Sequence, residues 1–578
     1  MALPTQQQNE LLDVLARFRR GFVFAGIFSF VINVLMLAPS LYMMQVYDRV
    51  LTSRNAETLL VLTLIILFLY VLMSALEWIR SQLLVRVGAR IDARLNTRVF
   101  QAAFERNLRM AGANPAQAMH DLTNIRQFLT GQGIFAFFDA PWFPIYMAVV
   151  FLLHPVMGAL ALGAAVTLFL LALATEKATK APLAEANKYA SMASNFTNAN
   201  LRNAEVIQAM GMLPGIQQRW MEHQRSMLHL QTIASNRAGI ITAATKFVRI
   251  AVQSLLLGLG AYLAMDNSIT SGGMIAGSIL MGRALAPVEM AIGTWKQLLS
   301  ARESYARLNE LLTKFPEREK GMSLPRPSGR LAVAGLVAVP PGAQAPVLKG
   351  VSFEVAPGEI VGVIGPSASG KSTLARMLMG IWAPYAGTVR LDGSDVYNWD
   401  KTELGPHVGY LPQDVELFDG TIAENIARFG DVQAELVIDA AQRAGVHEMI
   451  LHLPKGYDTP IGAAGGVLSG GQRQRIGLAR AMYGRPAFIV LDEPNSNLDD
   501  VGEQALVQAL RSIKSEGGTV MVITHRTSVL AAVDKLLLLQ AGQLVAFGPR
   551  DEVIQALKQQ GGAGSSAQPA QVATAAAG

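Results

Sequence analysis

Ile360-Val-Gly-Val-Ile364-Gly365-Pro366-Ser367-Ala368-Ser369-Gly370-Lys371-Ser372-Thr373 decides how the second half of this chain is read. Ile360–Ile364 is a short apolar run and reads as a strand. Gly365 to Ser372 match G-x-x-x-x-G-K-S, with Gly365, Gly370, Lys371 and Ser372 at the fixed positions. The glycines let backbone wrap phosphates without Cβ clashes. Loop N–H groups and the start of the next helix attract anionic oxygens. Lys371 is expected to reach the β- and γ-phosphates and Ser372 to offer its hydroxyl to Mg²⁺, with the binding run extending to Thr373. A glycine turn that binds nothing is the bland alternative. The strand before and the helix after speak against it. The expectation is an α/β P-loop domain that takes ATP and Mg²⁺.

A second apolar strand, Phe488–Leu491, ends in Asp492-Glu493. A carboxylate at a strand end can hold Mg²⁺ through water, the role expected of Asp492. Glu493 can polarise the attacking water as general base. An acidic pair after a strand is common, and it gains weight here from its spacing after the phosphate loop. Between the two lies Leu468-Ser469-Gly470-Gly471-Gln472-Arg473-Gln474-Arg475. With it the sequence resembles the ATP-binding cassette family, whose signature is LSGGQ. The resemblance implies further parts. Gln413, in Leu-Pro-Gln-Asp, matches the Q-loop, expected to contact Mg²⁺ and water. Ser496-Asn497-Leu498-Asp499 matches the D-loop, and His525, after the strand Thr519–Thr524, matches the histidine that contacts the γ-phosphate. In this family the signature of one subunit closes over ATP on the phosphate loop of the other. Leu468 to Gln472, and Ser469 and Gly471 above all, would then face a partner's nucleotide, so the resemblance implies a homodimer with two equivalent hydrolytic sites. Two departures stand out. No aromatic residue lies between Leu331 and Val351, where many cassettes stack the adenine, and Ala463 stands where exporters often carry a glutamate.

The first half reads as membrane. The chain has 578 residues, 51% hydrophobic and only 16% charged, against about 25% charged in ordinary soluble domains. The net charge of +6 fits cytoplasm-facing Lys and Arg rather than a nucleic-acid surface. There are no cysteines, which excludes disulfides, cysteine metal sites and a cysteine nucleophile. No cleavable signal peptide is evident. Apolar stretches at 21–47, 58–76, 132–153, 156–175, 239–265 and 273–294 give six expected spans. His154-Pro155 divides the third from the fourth. The last two contain Lys246, Arg249, Arg283 and Glu289, and hydropathy alone leaves them doubtful. Asp139 opens the third span. For these charged groups, helix pairing and a hydrophilic substrate path both stand open. Arginines crowd 86–126 and 17–20, whereas the loops at 48–57, 154–155 and 266–272 are poor in them. The positive-inside rule therefore puts both ends in the cytoplasm. The stretches 77–131 and 176–238 read as cytoplasmic helical extensions of the spans.

The expected plan is a cytoplasmic arm (1–20), an all-α six-helix transmembrane domain (21–314), a Pro-bearing linker (315–329), the cassette (330–560) and a disordered tail (561–578). Membrane domain before cassette in one chain is the plan of ABC exporters. Asp139-Ala-Pro-Trp142-Phe-Pro144, Asn203 to Met212, and Ser278 to Glu289 resemble the type I secretion permease/ATPases, in the branch that exports proteases, lipases and haem-binding proteins. That resemblance implies an inner-membrane translocase for unfolded polypeptides with a C-terminal signal. Its implied partners are a periplasmic membrane-fusion adaptor and an outer-membrane channel, with no nucleic acid involved. It also implies docking on a cassette near 203–212 and about 114–122. Only about 20 residues precede the first span, so no leader-cleaving peptidase domain is expected there. The alternatives are an exporter or flippase of lipid or another amphipathic small molecule, and a non-hydrolysing channel or regulator. Glu493 and His525 count against the last.

Overall fold

Each of the six apolar stretches is helical, and three of the helices run far beyond the bilayer. The computed structural model describes residues 10–110, 115–201, 203–317, 321–462 and 468–563. Helices long and apolar enough to cross a membrane cover Arg19–Ser53, Ala56–Arg109, Gly133–Leu153, Pro155–Leu201, Leu213–Met265 and Ser271–Gly293, here called spans 1 to 6. Spans 2, 4 and 5 have 54, 47 and 53 residues. At about 1.5 Å per residue they reach about 70–80 Å, against about 30 Å of hydrocarbon. The surplus is the helical extension expected from the sequence. Leu153 ends one helix and Pro155 begins the next, with His154 extended at φ −163°. Proline supplies the break because it has no N–H to continue the ladder.

Polar side chains tie the spans together. Arg80 of span 2 donates from Nη1 to Asp139 Oδ1 of span 3 at 2.9 Å and to Ser29 Oγ of span 1 at 2.7 Å. Asn33 Nδ2 of span 1 donates to the same Asp139 oxygen at 3.0 Å. The Tyr146 hydroxyl donates to Asn33 Oδ1 at 2.8 Å. The Arg80 guanidinium also lies 4.4 Å from the Phe135 ring centroid. With side-chain exposures of 8% and 16%, Arg80 and Asp139 are removed from water, and their charges stay tolerable because each meets the other. Arg249 and Glu289 pair between spans 5 and 6 at 2.8 Å. Of the two readings left open by the sequence, helix pairing is therefore observed at Asp139 and Glu289. Toward the outer end, a π-turn over Val46–Val50 carries Asp48, which accepts from Thr270 Oγ1 at 2.6 Å and Gly272 N at 2.8 Å. Thr270 Oγ1 in turn accepts from Gly273 N. Asp48 and Thr270 thus jointly satisfy two of the open N–H groups at the start of span 6.

The chain divides into two compact units, the first made almost entirely of residues up to Glu317. The second holds three sheets. Strands β1 (Leu331–Ala338), β2 (Leu348–Val355), β3 (Ile360–Ile364), β4 (Ala386–Leu391), β5 (Ser394–Asp395), β6 (Val408–Leu411), β7 (Gly420–Thr421), β8 (Pro460–Ile461), β9 (Phe488–Asp492), β10 (Thr519–Ile523), β11 (Lys535–Gln540) and β12 (Gln543–Pro549) succeed one another along the chain. They form an antiparallel sheet β2-β1-β4-β5, a six-stranded sheet β12-β11-β3-β10-β9-β6 and the pair β7-β8. In the large sheet every pairing is parallel except β11 with β12. Its strands are apolar on both faces because both faces are covered. Ile489, Leu491, Val520 and Val522 enter one core, while Phe488, Val490, Met521 and Ile523 enter the other. Each such side chain contributes about 1.5–3 kcal/mol on burial.

Residues 561–563, expected to open a disordered tail, instead complete a helix over Arg550–Ala563. The remainder of that tail, residues 1–9 of the arm, residue 114 of the expected docking stretch and Ala463 lie outside the described residues.

Arg80→Met should lower the melting temperature of the detergent-purified chain, at a cost of about 1–3 kcal/mol for the unpaired Asp139. The double variant Arg80→Met with Asp139→Leu should recover part of that loss. A double variant less stable than the single would show that the Arg80–Asp139 pairing is not the cause.

Candidate functional site

β3 and β9 flank β10, and the parallel register places Ile523 beside Asp492 on one side and Val363 on the other. The carboxyl ends of three strands therefore open onto one place, where ligands of open α/β sheets sit. From β3 the chain turns through Gly365–Gly370 into a helix over Lys371–Leu378. Gly365 has φ +153°, and a Cβ there would lie 2.1 Å from the Leu539 carbonyl oxygen. Gly370 has φ +100° and would press a Cβ against Leu348 at 2.9 Å. Neither position admits a side chain. Ala368, at φ +62°, takes the left-handed conformation without being glycine, a local strain of order 1–2 kcal/mol. The loop curls over itself, and Lys371 Nζ donates to the carbonyl oxygens of Gly365 at 2.8 Å and Pro366 at 2.9 Å. Burial pushes the Lys371 ammonium below its ordinary value, while Glu493 and Asp492 pull it back up.

Asp492 closes β9 and is 2% exposed. Burial pushes its carboxyl above the usual range, opposed by a hydrogen bond from Ser372. Its Oδ1 and the hydroxyl of Ser369 are buried with no hydrogen-bond partner among the described residues. Glu493 stands in the left-handed region at φ +49°. Its N–H donates to the Ile523 carbonyl at 3.0 Å, and its own carbonyl accepts from Ser496 N at 3.2 Å. The carboxylate accepts from Gln413 Nε2 at 3.1 Å. Phosphate loop, Asp492, Glu493 and Gln413 are thus brought together. His525 is exposed, two residues past Ile523 at the same sheet edge.

The signature stretch is held by its own cassette. Ser469 caps the helix Gly470–Met482, its Oγ accepting from Gln472 N while Gln472 Oε1 accepts from Ser469 N at 2.8 Å. This reciprocal capping box satisfies two open donors. A Cβ on Gly471 would lie 2.7 Å from the Asn497 carbonyl oxygen, so the glycine permits close packing on the 496–499 loop. Leu468 is 7% exposed and points into the core, whereas Ser469 is exposed. Asp499 caps the helix Asp500–Ser515, accepting from Gly502 N at 2.8 Å. No motif in the sequence gives Gln474 a role, yet the structure places it 1% exposed, joining Glu493 to the 496–497 loop. Its periodicity is that of any helix residue, and a polar side chain inside a helix carries no signal of burial.

Comparison with known proteins agrees with this geometry. Residues 348–496 match the family described as ABC transporter, and residues 22–287 match the ABC transporter transmembrane region. The type I secretion system ATP-binding protein PrsD of Rhizobium meliloti is 47% identical over 539 residues, covering 93% of this chain and 92% of that one. The chain belongs to the type I secretion family of ABC exporters. The leukotoxin translocation ATP-binding protein LktB of Mannheimia haemolytica is 30% identical over 556 residues, 94% of this exporter and 78% of its relative. A bacterial Atm1-family ABC exporter with ATP bound shares the fold, with a TM-score of 0.80 at 23% identity over 96% of this chain and all of that one. The exporter is an ATP-driven translocase, a multi-pass inner-membrane protein with a cytoplasmic cassette.

The site fits ATP with Mg²⁺. The cradle excludes Cβ atoms, Ser369 Oγ and Asp492 Oδ1 are buried without a hydrogen-bond partner among the described residues, and Lys371 donates to carbonyl oxygens. Each of these features suits a bound polyanion and its cation.

Ser469→Ala should lower the melting temperature of the full-length exporter, reflecting about 1 kcal/mol of lost capping, while Ser469→Thr should keep it. Equal stability in all three proteins would show that the cap carries no stability.

Proposed function

We propose that the exporter works as a homodimer that moves unfolded polypeptides bearing a C-terminal secretion signal out of the cell. A periplasmic membrane-fusion adaptor and an outer-membrane channel complete the conduit. The observation that carries this reading is the 47% identity to a type I secretion protein over 93% of the chain. A single cassette that carries a phosphate loop, Asp492-Glu493, Gln413 and a signature supports two equivalent sites in a dimer.

In this reading Gly365 to Thr373 hold the triphosphate, with Lys371 released from the Gly365 and Pro366 carbonyls to meet the β- and γ-phosphates. Ser372, Gln413 and Asp492 hold Mg²⁺, which when bound neutralises charge on the transferred phosphoryl group. Glu493 orients and deprotonates the attacking water, Gln413 steadies its carboxylate, and His525 donates to the γ-phosphate side. Ser469, Gly470 and Gly471 present backbone and hydroxyl donors to the partner's nucleotide from the helix start, while Ser496 and Asp499 shape the loop between the two half-sites. Closure over two nucleotides draws the cassettes together, and hydrolysis releases them.

Lys371→Ala should weaken ATP binding by the purified exporter at least about tenfold, the order expected when a charged phosphate contact is lost. Unchanged binding and turnover would remove the phosphate-loop assignment. The cargo is tested by mass spectrometry of culture supernatants with and without the gene. Loss of a few proteins that keep their N-termini is the expected outcome. An unchanged secretome under expressing conditions would move the reading to a lipid or small-molecule exporter.

A further inference from the structure

We infer that Gln474 is a positioning residue for hydrolysis, fixing the main chain that aims Glu493 and joining it to the signature helix of the same cassette. The inference rests on Glu493 acting as the base. Gln474 lies in the helix Gly470–Met482, facing inward at 1% exposure. Its Nε2 donates to the Glu493 carbonyl oxygen at 3.1 Å. Its Oε1 accepts from Ser496 Oγ at 3.2 Å and Asn497 Nδ2 at 3.1 Å. One buried amide therefore satisfies partners on both sides, and a left-handed residue persists only where its surroundings over-determine it.

At Glu493 those surroundings are three. The Ile523 carbonyl holds the N–H, while Ser496 N and Gln474 Nε2 share the carbonyl oxygen. Only the last comes from outside the β9–β10 edge and the turn after it. Pro494 locks its own φ, so ψ of Glu493 is the soft dihedral at this peptide, and release of that bond loosens it and the hold on the carboxylate beside Gln413. The same amide grips the loop against which Gly471 packs. A shift of the signature helix is then transmitted to Glu493 through a single side chain. In the proposed dimer the helix faces one nucleotide and Glu493 the other, so Gln474 links the two half-sites within each chain.

The test uses full-length exporter in lipid nanodiscs. Gln474→Leu removes all three bonds at similar volume, and Gln474→Glu keeps the acceptor for Ser496 and Asn497 but loses the donor to Glu493. Both should lower kcat for ATP about tenfold to a hundredfold, the scale of a catalytic group misplaced by about 1 Å. KM and the affinity for a non-hydrolysable ATP analogue should stay within about threefold, because the phosphate loop is untouched. In a Glu493→Gln background, Gln474→Leu should cause no further loss. A kcat within about twofold of the parent in both variants overturns the inference. So does a loss of nucleotide affinity that matches the loss of kcat, which marks Gln474 as a purely structural residue. Hydrolysis by Glu493→Gln alone at the parental rate would instead remove the base reading, and the reason for Gln474 with it.

Discussion

The parallel pairing of β3, β10 and β9 is the constraint on which the cassette depends. One register step of β9 against β10 would exchange the faces of the β9 side chains and take Asp492 off the level of Ile523, because side chains alternate with period two. As built, Ile523 sits beside both Asp492 and Val363, so the phosphate loop, the acidic pair and the segment bearing His525 leave the sheet at one edge. The hydrogen bond from Glu493 N to the Ile523 carbonyl extends this ladder one residue beyond the apolar core. Apolar burial on both faces thus sets the position of polar groups that contribute nothing to the core themselves.

The signature helix combines several such duties in a smaller space. Its leucine anchors the core, its serine and glutamine close a capping box, and its second glycine allows contact with the 496–499 loop. These local duties leave the exposed serine hydroxyl, the open N–H groups and the helix dipole facing outward, the arrangement that favours an anion. A change at Ser469 or Gly471 therefore acts on folding of its own cassette as well as on anything the helix meets, and stability must be measured beside turnover.

Much of the site was legible because its motifs are contiguous and their spacing has a mechanical cause. The strand, glycine cradle and helix start of the phosphate loop occupy 14 consecutive residues from Ile360 to Thr373. Six apolar stretches announced the spans for a similar reason. The groups that were not legible are those whose meaning depends on a distant partner. Arg80 and Asp139 are 59 residues apart, Asn33 and Asp139 are 106 apart, and Asp48 and Thr270 are 222 apart. No local pattern connects such pairs. Asp139 could be recognised as costly in a membrane, but its partner emerged only when spans 1, 2 and 3 were packed. Gln474 was in view within the signature stretch, yet a single buried amide has no periodic or spacing signal. The adenine contact stays without a residue for the opposite reason, since the sequence lacks the aromatic that would mark it.

The charges of span 6 bear on assembly. Glu289 is matched by Arg249 across 2.8 Å, but Arg283 has its side chain exposed near the middle of Ser271–Gly293. A guanidinium facing hydrocarbon at that depth costs at least about 2.5 kcal/mol, and the mid-span position leaves no short route for the side chain to reach an interface. Water or protein must therefore cover this face in the membrane. In the proposed dimer, a second copy of the chain that encloses a hydrated path would supply both. The cost of a charge in lipid thus bears on the dimer proposed above independently of anything in the cassette.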